Sequence, residues 1–311
     1  MLAVRLVYLK FKRYCPGMDF LRPREMKSFF VAALAMIAFA ANSVIARFAL
    51  SNDGIDPATF TMFRLVAGAF ALTIIALFLK RGKLREIRVS GSWSSALLLM
   101  LYATTFSYAY VNLGAATGAL ILFAVVQSVI FSTAVRSGER IGLASITGLF
   151  LALAGLVALL GPSLSRPHPT GVLLMSIAGV SWAGYTLRGR GVEGAILVSA
   201  GNFLRSVPLV ITLWLPLVLL RPVVIELDAK GLCLAIFSGA ITSGVGYALW
   251  YTVLPSLTHT QSGIVQLAPA PLATLGGLML LGEPITGKIL LATFLILSGV
   301  LIGVLKPRSK K

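Results

Sequence analysis

Ten stretches of this chain stay apolar for about twenty residues at a time, and that length constrains the fold more tightly than any motif in it. They lie near 28–49, 59–79, 93–112, 115–134, 141–161, 170–187, 197–219, 231–252, 260–281 and 285–305. A bilayer core about 30 Å thick takes roughly 20 helical residues to cross, so each run has the length of one span. The runs 141–161 and 285–305 carry at most one charge each and show no polar–apolar alternation, which excludes barrel strands. With 58% hydrophobic and 12% charged residues, the chain has lipid rather than water as its natural solvent. The expected class is an all-α membrane protein of ten transmembrane helices.

A formal net charge of +17 would suit a nucleic-acid binder if the cations were clustered on one soluble face. They sort by side of the membrane instead. With the N-terminal tail inside, twenty of the 27 Lys and Arg fall in cytoplasmic segments and five at the outer loops and helix ends. That bias places both termini in the cytoplasm, implies an inner-membrane location and leaves nucleic acid without a role. The loop Ser51 to Pro57, with Asp53 and Asp56, falls outside. Residues 1–27 form a basic tail without the apolar core of a signal peptide, and Met1, Met18 and Met26 are all candidate starts. Cys15 and Cys233 suggest no disulfide, and no Cys/His spacing resembles a metal site, so neither cofactor nor metal is expected.

The chain repeats itself. Gly138-Glu139-Arg140-Ile141 leads into an apolar run holding Gly155, and Gly282-Glu283-Pro284-Ile285 into one holding Gly299, with sixteen residues from Glu to Gly in both. Phe63-Arg64 in the second span is answered by Phe203-Leu204-Arg205 in the seventh, and Phe39 to Asn42 by Trp182 to Tyr185. The expected units are 28–161 and 170–305, with basic tails at 1–27 and 306–311. Five spans per unit is an odd number, so the second unit enters the membrane in the opposite sense. Inverted repeats of this kind place one central site between two halves.

These features resemble the drug/metabolite transporter superfamily, specifically its EamA-type ten-helix proteins. The resemblance covers residues 28 to 306 and rests on the two Gly-Glu junctions, Arg64, Trp182 and the ninth-span string Gln266-Leu-Ala-Pro-Ala-Pro271. Thr117-Gly-Ala-Leu-Ile-Leu-Phe123 and Tyr185-Thr-Leu-Arg-Gly-Arg-Gly191 look like a bacterial subgroup of it. The resemblance implies a central cavity lined by both halves and export or exchange of small organic solutes such as amino acids, nucleobases or drugs. Such proteins often carry proline in the fourth span, where this chain has Gln127.

Arg64 and Arg205 are the charges that lie well inside spans, where a cation costs about 2.5–3.5 kcal/mol on insertion scales. Two readings stand for each: binding an anionic group of the substrate, or snorkelling toward the interface. Glu139 and Glu283 each precede a helix, where a carboxylate meets free backbone N–H groups, and their matched places suggest hinges. No Asp or Glu falls mid-span, so coupling to protons is not implied. A cavity for an amphipathic solute needs aromatic walls and a few polar groups. Candidates are Asn42, Tyr110, Gln127, Trp182, Tyr185, Tyr247, Trp250 and Gln266, with Tyr108, Asn202 and Tyr251 nearby in the spans. Pro269 and Pro271 interrupt the ninth helix as a kinked gate or as a static bend. Gly299 and Gly303 form a small-residue stripe that fits a neighbouring helix or the same helix of a second copy, which would make a homodimer.

A secondary transporter working by alternating access on a small-molecule substrate is the expected function, and no catalytic residue is assigned. An intramembrane enzyme on lipid-linked substrates would need a cluster of titratable groups that His168 and His259 do not supply. A non-transporting membrane scaffold would have no use for inverted symmetry or a broken helix.

Overall fold

The computed structural model describes residues 23–50, 55–80, 84–113, 115–161, 168–220, 228–281 and 286–304. Glu283, Cys15, Asp53, residues 1–22 of the N-terminal tail and the C-terminal tail lie outside the described residues, while residues 23–27 begin the first helix. The first five spans are α1 (Pro23–Leu50), α2 (Pro57–Lys80), α4 (Trp93–Asn112), α5 (Ala115–Arg136) and α6 (Leu143–Leu160), with a short α3 (Leu84–Val89) between the second and third. The sixth and seventh are α7 (Pro169–Arg188) and α8 (Ala195–Leu220). The eighth is composite: α9 (Ala229–Phe237), a π-helical segment Ser238–Val245, then α10 (Gly246–Val253). The ninth is split into α11 (His259–Val265) and α12 (Pro269–Leu281), and the tenth is α13 (Gly287–Val304). Among the described residues nine helical segments are each long and apolar enough to cross a membrane, and the split pair supplies the tenth span.

Contacts between the halves come in matched sets, as an inverted repeat requires. Packing of α4 on α7 is answered by α10 on α1, and α5 on α7 by α12 on α1. The contact of α2 with the π segment is answered by that of α8 with α4. The second and seventh spans (α2, α8) meet each other, as do the fifth and tenth (α6, α13). The fold is therefore ten transmembrane helices in two inverted five-helix repeats.

The α6–α13 contact shows why glycine recurs in these helices. A Cβ on Gly148 would meet backbone atoms of Gly299 and Gly303, and one on Gly299 would meet those of Gly148 and Ala152. Without a hydrophobic driving force between helices in lipid, such close backbone approach supplies the packing. The Gly299/Gly303 stripe is thus occupied within the chain, and those two glycines are not open to a second copy.

The ninth span departs from the expected kink. Helix α11 stops at Val265, and Gln266, Leu267 and Ala268 turn through N–H bonds of 3.0–3.1 Å to the carbonyls three residues back. Pro269 then opens α12, where its missing N–H and fixed φ are assets rather than faults. The proline starts a half-helix instead of bending a continuous one.

Candidate functional site

A narrow central cavity, open on one side, lies where the halves meet. Its walls come from α1 (Phe39, Asn42, Ser43), α4 (Tyr102, Phe106), α5 (Leu122, Phe123), α7 (Trp182), α10 (Tyr247) and the break in the ninth span (Gln266, Pro269). Four of the rings form one cluster: Phe39 stands edge-on to Trp182 at 5.3 Å and to Tyr247 at 5.4 Å, and Trp182 lies 4.9 Å from Tyr102.

The π segment organises the polar side of this wall. Its wider turn places Ser238, Thr242 and Ser243 on one face, and such segments recur at functional sites. Asn42 Oδ1 accepts from Ser238 Oγ at 2.7 Å, from Thr242 Oγ1 at 3.1 Å and from Ser243 Oγ at 3.4 Å. Arg64, only 1% exposed, donates from Nε to Ser243 Oγ at 2.8 Å and from Nη2 to the Tyr247 hydroxyl at 2.8 Å. Its guanidinium also lies 5.8 Å from the centre of the Tyr102 ring. Its Nη1 is buried without a hydrogen-bond partner, and no carboxylate pairs with it among the described residues. Helix α2 comes this close because residue 239 is glycine: a Cβ there would run into the Arg64 backbone.

The split span is held at its centre by amides. Gln266 Oε1 accepts from Trp182 Nε1, and Gln266 Nε2 donates to the Ser262 carbonyl at 2.7 Å. Gln127 Nε2 donates to the Gly263 carbonyl at 2.7 Å, which ties α5 of the first half to α11 of the second.

A second tie between the halves, from the loop after α5, lies at the start of α11. Glu139 Oε2 accepts from the His259 N–H at 2.8 Å and sits 3.1 Å from His259 Nδ1, while Oε1 accepts from the Thr260 N–H at 3.2 Å. The carboxylate therefore caps a helix of the other half rather than the α6 it precedes in sequence. Burial alone would raise its pKa, but hydrogen bonding from the Thr258–Thr260 turn outweighs burial and holds it below its ordinary value. Thr258 and Gln261 add a capping box, and Gln261 Nε2 reaches the Val304 carbonyl at 2.9 Å.

The candidates named from sequence thus divide. Asn42, Trp182, Tyr247, Gln266 and Pro269 line the cavity, and Arg64 lies directly behind Tyr102 and Tyr247. Tyr185 stacks behind Trp182 at 5.9 Å, Trp250 is fully buried with Nε1 3.5 Å from Thr186 Oγ1, and Tyr110 meets Phe106 edge-on at 4.7 Å. These three, Gln127 and the buried Pro271 support the wall without forming it. Tyr108 lines a separate small crevice with Trp214, and Asn202 Oδ1 accepts from the Ser92 N–H at 2.9 Å.

Arg205 requires a correction. Its guanidinium donates to the carbonyls of Ser90, Arg88 and Gly201 and lies 5.9 Å from the Trp93 ring, away from the cavity. It closes off the end of α3, where free carbonyls and the negative end of the helix attract a cation. The expected contact of Arg205 with substrate is replaced by this structural one.

Sequence reasoning missed Tyr102, Phe106, Leu122, Phe123 and the lining role of Phe39. A signal for three of them was present. Phe39 was matched to Trp182 by the repeat, and Tyr102 with Phe106 is an i, i+4 pair of rings on one face of α4.

Comparison with known proteins agrees with this architecture. The model of the EamA-like transporter family matches residues 26–161 and again 169–305. An uncharacterised protein of Pseudomonas aeruginosa is 43% identical over 284 residues, covering 91% of this chain and 96% of that one. An uncharacterised transporter of Archaeoglobus fulgidus is 24% identical over 294 residues, covering 90% of this chain and 100% of its own, and the uncharacterised transporter YwfM of Bacillus subtilis is 26% identical over 278 residues, covering 85% and 89%. A solved crystal structure superposes with a TM-score of 0.70 at 22% identity, over 89% of this chain and 99% of that one, a likeness of fold alone. Two family matches in tandem span both halves, and the chain belongs to the EamA-like transporter family.

Proposed function

We propose that this protein is a secondary transporter that exports small organic metabolites across the inner membrane by alternating access, with both termini cytoplasmic. The observation that carries the reading is the position of the cavity: it lies between the repeats, against the break of the split ninth span and beside the π segment of the eighth. Discontinuous helices at a repeat interface are how secondary transporters bring backbone polar groups and a substrate together at mid-membrane depth. Ties at two levels, Gln127 to Gly263 and Glu139 to the start of α11, hold the halves together on one side of the cavity. With the termini inside, that side is cytoplasmic, and the conformation is closed toward the cytoplasm. An enzyme would have the Glu139–His259 pair to work with, but that pair caps a helix.

The test is flux in proteoliposomes with a mixed pool of labelled organic solutes, with and without an imposed proton gradient. Saturable movement of one chemical class supports the reading and identifies the substrate. No movement of any solute by correctly folded protein overturns it.

A further inference from the structure

We infer that the central cavity selects organic anions: small aromatic solutes bearing one carboxylate, whose negative end lies against Asn42 and Tyr247 and toward Arg64. This deepens the transport reading by giving its substrate a charge.

The argument begins with the hydrogen-bonding capacity left on the wall. Both amide oxygens that face the cavity are already used, that of Asn42 by hydroxyls of the π segment and that of Gln266 by Trp182. The Trp182 N–H is used in the same bond. Tyr247 already accepts from Arg64 Nη2, and its hydroxyl, with the Tyr102 side chain beside it, still carries a hydrogen to donate. Asn42 likewise keeps its NH₂ group, and Gln266 Nε2 keeps a second hydrogen beyond the one on Ser262. The wall therefore offers donors, with hydroxyls as its remaining acceptors.

Charge points the same way. No Asp or Glu lies mid-span anywhere in the sequence, so nothing on the wall meets a substrate ammonium with full charge. One cation stands directly behind two wall rings, and its Nη1 group, fully removed from solvent, has no hydrogen-bond partner. A buried guanidinium whose partners are all neutral has a strong preference for an incoming carboxylate, because desolvation removes the water that would otherwise compete. Ser243 and Tyr247 take two of its five N–H hydrogens, which leaves the buried Nη1 group without a protein partner. The rings of Phe39, Tyr102, Phe106, Trp182 and Tyr247 define the rest of the ligand, a flat apolar body.

The experiment uses three probes of nearly one shape and different charge: phenylacetate, phenylacetamide and phenethylammonium. Binding to the purified full chain is read by quenching of tryptophan fluorescence, since Trp182 is on the wall. Phenylacetate binding about tenfold tighter than the amide, with the ammonium weakest, supports the inference. In Arg64→Gln the preference falls to within about twofold, and in Arg64→Lys part of it returns. Should Arg64→Gln fail to fold, Asn42→Asp keeps the acceptor that the π segment needs and reverses the order of the probes. Equal binding of acid and amide, no binding of the acid at millimolar concentration, or an unchanged preference in Arg64→Gln overturns it. Failure of the transport reading is separate: charge-selective binding without flux sinks transport alone, and saturable flux that ignores charge sinks anion selectivity alone.

Discussion

Arg64 of α2 and Arg205 of α8 stand at matched places in the two repeats, each one or two residues after a phenylalanine. Their helices make matched contacts, α2 against the π segment and α8 against α4. Arg64 ends among buried hydroxyls inside the helix bundle, on Ser243 and Tyr247, with its Nη1 group left without a partner. Arg205 ends on the backbone carbonyls of Ser90, Arg88 and Gly201, at the edge of the α3 turn. Symmetry of fold thus does not carry symmetry of use. Where the facing helix widens into a π segment and offers side-chain hydroxyls, the arginine is held beside the cavity. Where the facing element is a short helix with free carbonyls, the arginine becomes a cap.

The largest expected effect follows from breaking the first member of that comparison. Arg64→Ala removes two charge-assisted hydrogen bonds between the halves, and flux in proteoliposomes, normalised to folded protein, falls by about 100-fold or more. Flux within about threefold of the native value in a well-folded Arg64→Ala protein would place this arginine with Arg205 as structural. Ser243→Ala removes one of the two bonds and shortens the list of donors on Asn42 Oδ1, for an expected loss of about tenfold in flux. The reverse pattern, a larger loss for Ser243 than for Arg64, would mean that the π segment matters for its own geometry rather than for the arginine.

Arg205→Ala sharpens the other side. Its cost is in stability, about 1–3 kcal/mol from carbonyls left with fewer donors, read as a lowered midpoint of thermal unfolding in detergent. Flux per folded molecule stays within about threefold. A well-folded variant without flux would restore Arg205 to the transport pathway.

These two arginines also mark how far the sequence could be read. Span positions and the repeat were legible, since they rest on apolar length and on spacing within the chain. The fate of each arginine was not, because it is decided by what the facing helix presents. The π segment has no hydropathy signature, as Ser238 to Val245 reads like any small-residue stretch of a span. The short α3 is amphipathic over six residues, too few for periodicity to register, and its burial rests on Ile87 alone. Pro269 was legible as an interruption but not as a helix start, because proline at N1 and proline at a kink differ only in whether the preceding turn continues. In α4 the apolar run contains Tyr102, Tyr108 and Tyr110, and Tyr102 with Phe106 faces the cavity while Tyr108 faces a separate pocket.

Glu139 extends the comparison to the ends of the molecule, with the smallest expected effect and a distinct dependence on pH. Its carboxylate caps α11 across the halves, beside His259 and with Arg190 contributing a favourable charge nearby. Glu139→Gln keeps an acceptor but loses the charge, for an expected destabilisation of about 1 kcal/mol and a weaker hold between the halves at the start of α11. The sign follows from the lowered pKa. A carboxyl whose folded value lies below its unfolded one adds stability that is complete above the unfolded value, 4.5, and is lost as pH falls through the folded value. The native unfolding midpoint therefore drops on acidification below about pH 4.5, and the Glu139→Gln midpoint drops less over the same window. Identical acid profiles for the two proteins would mean that Glu139 has the same pKa folded and unfolded.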